Sequence, residues 1–179
     1  MVLPVTARGT WNASRLPAVV IPHAVGEALA RDVRSRIARA PTTRYGLLDR
    51  ASYSFVDRTN ETEVFEALVG IACEVTGRSL VLAESRALVL DPGDYVLLRH
   101  DRVHDDNPVE LVLDLSASPV PGAEVHYRHR GQVFFTFAST PGALAIVERG
   151  PSVMCNHTYV SKRLHGACVV RMVMLLRPC

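Results

Sequence analysis

His104 and Asp106 stand two apart, inside a run that reads as a β-strand. Side chains alternate faces along a strand, so this spacing points an imidazole and a carboxylate to the same side. His100 shares their parity and joins that face. Completed by a second imidazole from a distant strand, such a pair can hold a divalent metal and leave coordination positions open. The same groups without a metal can exchange protons as general acid and base. A third account involves no catalysis: the histidines and aspartates of HDRVHDD pair with one another at a solvated hairpin tip.

His157, in the strand-like stretch NHTYV, is the candidate for the second imidazole. Its alternative role is a core histidine bonded to a neighbour. Arg171 lies in ACVVRMVMLL, apolar on both sides. A buried guanidinium without a partner is costly, so this position demands an anion, either a bound carboxylate or an internal Asp or Glu. His126 keeps company with Glu124, Arg128 and Arg130 and reads as exposed, with His129 on the opposite face. His23 and His165 fall at turns. Tyr95 and Tyr127 can line a pocket or pack as core.

The elements that must position these residues fall into two textures. Leu16 to Ile21 reads as a first strand. Ala24 to Ala40 reads as a helix with Val25, Leu29, Val33 and Ile37 on one face, stopped by Pro41. Residues 42–59 read as irregular, anchored by Tyr45, Tyr53 and Phe55. Asn60 can cap a second helix, with Glu63 at the capping-box position and Gly77 as its end. Val64, Phe65, Leu68, Val69 and Ala72 form its apolar stripe. From Ala87 onward short apolar runs alternate with turns. Strands are expected near 87–91, 94–104, 109–116, 123–130, 132–138, 143–148, 152–160 and 167–177. Pro-Gly, Asp-Asn-Pro, Arg-Gly and Gly-Pro turns separate them. That pattern implies a β-sandwich or barrel behind N-terminal helices.

The 179 residues fit a single domain, and 48% hydrophobic with 21% charged residues is ordinary globular composition. A net charge of +2 is too small to imply a nucleic-acid or membrane partner. The longest apolar runs are of strand length, so no transmembrane helix is expected, and the N-terminus lacks a signal-peptide pattern. Cys73, Cys155, Cys168 and Cys179 show no CxxC spacing and read as reduced thiols of a cytoplasmic protein. Asn12, Asn60 and Asn156 stand in N-x-S/T triplets, taken here as chance matches. The expected partner is a small molecule, and a homodimer is compatible with the composition.

Several segments resemble the iron(II)/2-oxoglutarate-dependent dioxygenase superfamily, in its prolyl-hydroxylase-like branch. LPAVVIPHAVGEALARDVRSRI resembles the opening strand and first helix. DPGDYVLLRHD resembles the strand that delivers the first iron-binding histidine, and VELVLDLSASPVPGAEV the strand and turn that follow. PGALAIVERGPSVMCNHTYVSKRLHGACVVRMVMLL resembles the final hairpin, with its distal histidine and cosubstrate arginine.

The resemblance implies a double-stranded β-helix (jelly-roll) over residues 87–177, behind an N-terminal strand and helical layer at 1–86. It implies iron(II) on His104, Asp106 and His157. It implies 2-oxoglutarate on Arg171, with Tyr95 nearby, and hydroxylation of a small or amino-acid-like substrate. The register of the first ligand stays open. Alignment of VELVLDLS favours His100, which places Arg102 at the carboxylate position. The family's usual interval before Arg171 lands near Lys162, and Asp114 stands where the family often has tyrosine. Two other readings keep the barrel. One is a metal-independent isomerase or cyclase using His100, His104 and Asp106; the other is a non-catalytic binding protein.

Overall fold

The computed structural model describes residues 5–47, 50–57, 61–98 and 108–179. Helix α1 (Val5–Ala13), strand β1 (Ala18–Ile21) and helix α2 (Glu27–Arg39) open the chain. A hairpin of β2 (Thr43–Leu47) and β3 (Arg50–Asp57), helix α3 (Thr62–Thr76) and strand β4 (Leu80–Leu90) follow. Then come β5 (Val109–Asp114), β6 (Glu124–His129), β7 (Gln132–Ala138), β8 (Leu144–Glu148), β9 (Val153–His157) and β10 (Val169–Pro178).

Two antiparallel sheets face each other. The large sheet runs β1-β8-β5-β10-β4-β3-β2, and the small one runs β7-β6-β9. Val96 bridges to His157, which brings the segment after β4 alongside β9. From β4 onward the chain therefore crosses between sheets at nearly every connection. That alternation is a double-stranded β-helix, as expected.

The helices cover the outer face of the large sheet. Trp11 of α1, Val33 and Ile37 of α2, and Leu68 and Ala72 of α3 pack with Leu111, Ile146, Met172 and Met174. A second cluster fills the space between the sheets, with Leu88, Val112, Val125, Tyr127, Phe137, Val147 and Val173. Strand β5 is consequently buried on both faces. Polar groups on its inner side, Glu110 and Asp114, have no water and must find partners within the protein.

Several local expectations shift. Helix α1 was not anticipated; among its described side chains the buried face is Ala7 and Trp11. The stretch expected to be irregular is the β2–β3 hairpin, in which Tyr45 faces Tyr53 with ring centroids 5.2 Å apart. In α2 the buried face is Ala30, Val33 and Ile37, while Leu29 is exposed. Helix α3 has Glu61 at its N-cap without a side-chain cap bond. The Glu61 carboxylate instead receives the Arg36 guanidinium, so a contact to α2 replaces the expected capping box. Asn60 lies outside the described residues. Gly77 ends α3 in the left-handed region at φ 68°, as expected of its type. Strand β4 begins at Leu80, seven residues earlier than its apolar run suggested, because Glu84, Ser85 and Arg86 pair as strand despite their polarity.

The hairpin is tied to the barrel by a buried carboxylate. Asp94 accepts both ends of the Arg44 fork, at 2.6 and 2.5 Å, and the Ser52 hydroxyl at 2.6 Å. The backbone N–H of Asp91 adds a bond of 3.0 Å. Burial alone would raise the Asp94 pKa, but these donors together hold it below the ordinary carboxylate value. A lowered folded pKa stabilises the protein above the unfolded value of about 3.9, and this contribution is lost as pH falls through the folded value. Asp94→Asn is therefore expected to be less stable than wild type at pH 7, with the gap closing as both are acidified. Urea midpoints at pH 7 and pH 3 measure it; an equal gap at both would exclude the ionised carboxylate as the cause.

Candidate functional site

Strand β10 is central to the large sheet, and Val169, Arg171 and Val173 point from it into the barrel. Arg171 is in register with Asp114 of β5 on one side and Leu88 of β4 on the other. It has 0% exposure. Its Nη1 donates to His157 Nδ1 at 3.0 Å, and Nη2 donates to the Ala123 carbonyl at 2.7 Å. Its Nε has no partner among the described residues.

The nearest register carboxylate does not answer this cation directly. Asp114 accepts the Ser116 N–H at 2.8 Å, the Ser139 hydroxyl at 3.0 Å and the Thr140 N–H at 2.6 Å. It acts on Arg171 through its charge alone. Burial pushes the Arg171 pKa down to about 10, with Asp114 opposing. The group stays a cation at neutral pH, desolvated and one hydrogen bond short.

His157 ends β9 and is 3% exposed. Burial, then the charges of Arg171 and Arg86, hold its pKa well below the ordinary histidine value. Arginine can only donate, so His157 Nδ1 is the acceptor and the neutral ring carries its proton on Nε2. In this arrangement neither nitrogen offers a free lone pair. Metal ligation by His157 requires the Arg171 bond to open first. Nitrogen-15 NMR is expected to show a neutral Nε2–H ring at pH 5.5. The unfolded chain takes up a proton there near its pKa of about 6.5, so this histidine lowers stability as pH drops below that value. A charged His157 ring at pH 6 would contradict the geometry.

His100, His104 and Asp106 lie outside the described residues, as does Arg102. Among the described residues no three His, Cys, Asp or Glu side chains gather as a metal site. Tyr95 shares a groove with His157, the residue that Arg171 bonds. With Val96, His126, Arg128, Asn156, His157 and Tyr159 it lines an open groove of about 790 Å³. His126, Arg128 and Asn156 reach it from the outer face of the small sheet, while Val96 and His157 carry it to the edge of the inner cluster. His126 is partly covered there, its Nε2 2.7 Å from Glu124, rather than fully exposed.

A buried polar cluster within the barrel had no counterpart in the expectations. Glu110 accepts the Tyr127 hydroxyl at 2.5 Å and the Arg149 Nη1 at 2.6 Å, and the Arg149 guanidinium lies 5.9 Å from the Tyr127 ring centroid. Burial, then the Glu110 charge, raises the Tyr127 pKa well above its ordinary value, so the phenol remains a donor.

Comparison with solved structures places this architecture. The non-heme alpha-ketoglutarate-dependent carbocyclase SnoK from nogalamycin biosynthesis superposes with TM-score 0.74 at 14% identity, over 98% of this chain and 84% of that one. The fold is that of the 2-oxoglutarate/iron(II) oxygenases. A Pseudomonas putida prolyl-4-hydroxylase shares this oxygenase fold at TM-score 0.65 and 14% identity, covering 96% of this chain and 99% of its own. HygX from Streptomyces hygroscopicus, solved with nickel and 2-oxoglutarate, does so at TM-score 0.69 and 12% identity, over 99% and 88%. No family model matches the sequence, and no curated protein matches it. The oxygenase fold is thus carried by a sequence far from these three.

Proposed function

We propose that this protein is an iron(II)/2-oxoglutarate-dependent oxygenase acting on a small or amino-acid-like molecule. The observation that carries the reading is Arg171: a fully buried cation inside an oxygenase-type barrel, with its Nε unpartnered among the described residues. An orphaned guanidinium nitrogen of this kind fits a carboxylate, and 2-oxoglutarate would place one there. His104, Asp106 and His157 would hold the metal, with His157 available once it releases Arg171. Iron and 2-oxoglutarate together supply, when bound, oxidation of an unactivated C–H bond by dioxygen. The chain's own part is positional. Arg171 orients the cosubstrate carboxylate, Ala123 fixes one end of the guanidinium, and the inner walls at Val112, Val125 and Val173 exclude water.

Metal analysis after anaerobic reconstitution with Fe(II), with and without 2-oxoglutarate, tests this directly. About one iron per chain is expected in the wild type, and loss of it in both His104→Ala and His157→Ala. Retained stoichiometric iron in either variant removes that residue from the site. A wild type that binds neither iron nor 2-oxoglutarate ends the proposal.

The His157–Arg171 bond favours a second reading, metal-independent acid–base chemistry. A ring kept neutral with a fixed tautomer is an Nε2–H donor rather than a ligand. His100, His104 and Asp106 would then carry an isomerisation or cyclisation, and activity would survive exhaustive chelation.

A further inference from the structure

Arg86 extends the positive wall on which Arg171 sits. It belongs to the inner face of β4, in register with Val173 of β10 and Asp57 of β3. Leu88, two residues along that face, is in register with Arg171. The two arginines are therefore diagonal neighbours, a relation that puts residues about 7–8 Å apart. Arg86 is half-buried and has no hydrogen-bond or ion-pair partner among the described residues.

The surrounding acids do not neutralise this pair. Asp57 and Glu84 flank Arg86 but are exposed and form no ion pair with it. Asp114 is engaged by its three donors. His157 is neutral, and its Nδ1 already accepts from Arg171. Two like charges set diagonally on an inner face repel one another, and an anion between them would reverse the sign of that interaction.

We propose that Arg171 and Arg86 form a two-point site for a small dicarboxylate, one carboxylate on each guanidinium, and that it binds without a metal. This rests on the reading of Arg171 as an anion-binding residue and adds a second anchor, hence a ligand class. Among the described residues the Arg171 Nε has no partner, and Arg86 offers a fork that none of them engages, suited to bidentate carboxylate recognition. A monoacid of equal length can satisfy only one of the two.

The test is calorimetric titration of the chelator-treated protein with glutarate and with glutaramate, in which one carboxylate becomes an amide. Wild type is expected to bind glutarate about tenfold tighter, one decade of affinity. Arg86→Gln should bind both probes alike, near the wild-type glutaramate level, and Arg86→Lys should recover part of the preference. If wild type shows no preference, the two-point site is wrong whatever the variants do. If Arg86→Gln keeps the preference while Arg171→Lys weakens both probes, Arg86 is no anchor and the Arg171 reading stands. If glutarate fails to bind while iron-loaded protein binds 2-oxoglutarate, the two-point site falls and the oxygenase proposal survives. Binding of neither ends both.

Discussion

Replacing Glu110 by alanine is expected to lower the unfolding free energy by about 3–5 kcal/mol, the range for removing one partner from a buried ion pair. Both side chains of the Glu110–Arg149 pair are 5% exposed, so neither can turn to water without disturbing the barrel. The carboxylate accepts two donors, one from Arg149 and one from Tyr127. Alanine leaves a cavity, a phenol without its acceptor, and a guanidinium that has lost the Glu110 charge. Tyr127→Phe removes only the hydroxyl and is expected to cost nearer 1 kcal/mol. Equilibrium urea denaturation of the two variants measures both. A Glu110→Ala loss no larger than that of Tyr127→Phe would mean that Arg149 is adequately satisfied elsewhere.

Arg171→Lys is expected to fold and to weaken 2-oxoglutarate binding by roughly 1–3 kcal/mol, the range for a charged hydrogen bond. Lysine keeps the positive charge at the inner wall but loses the planar fork and the Nε donor. Arg171→Met goes further, abolishing 2-oxoglutarate binding while filling similar volume with an apolar chain. The methionine variant also leaves His157 Nδ1 and the Ala123 carbonyl without their donor, so it should be less stable than the lysine variant. Calorimetric titration together with a thermal melt separates the two effects. A wild type that binds no 2-oxoglutarate, with a lysine variant that is merely less stable, would make Arg171 a structural residue. The chemistry would then have to be sought in His100, His104 and Asp106 without a metal.

The strands of the barrel were legible where an apolar run met clear turn chemistry. VELVLDL, QVFFTFA and ALAIVE became β5, β7 and β8 within two residues at either end. Strand β4 was cut short because its Glu84–Arg86 segment is polar, and β-pairing to β10 overrides that local signal. The significance of Arg171 was visible from its apolar flanks. The same argument applies to Glu110 in VELVL, a lone charge in line with an inward position, and less clearly to Arg149, which follows Glu148. Their pairing was not visible, because 39 residues separate them and only the β5–β8 register brings them together. His157 could be placed on a strand, but its bond to Arg171 depends on how two sheets close over one another. Tyr95 was read within a strand over 94–104, but the described part of that stretch pairs only through the Val96–His157 bridge.

The place of β10 at the centre of the large sheet shapes how the chain can fold as it is made. Residues 169–178 join two blocks, β4-β3-β2 on one side and β1-β8-β5 on the other. Strands β4 and β5 leave the ribosome long before the strand that lies between them. At roughly 5–20 residues per second, the nascent chain spends seconds with two unpaired inner edges. In β5 those edges belong to a strand that folding buries on both faces, and its apolar outer face is the kind of surface that chaperones bind and that pairs wrongly with neighbouring chains. Sequence-distant pairing of this kind also slows the final closure. The strand that carries Arg171 is thus the one whose late arrival completes the sheet.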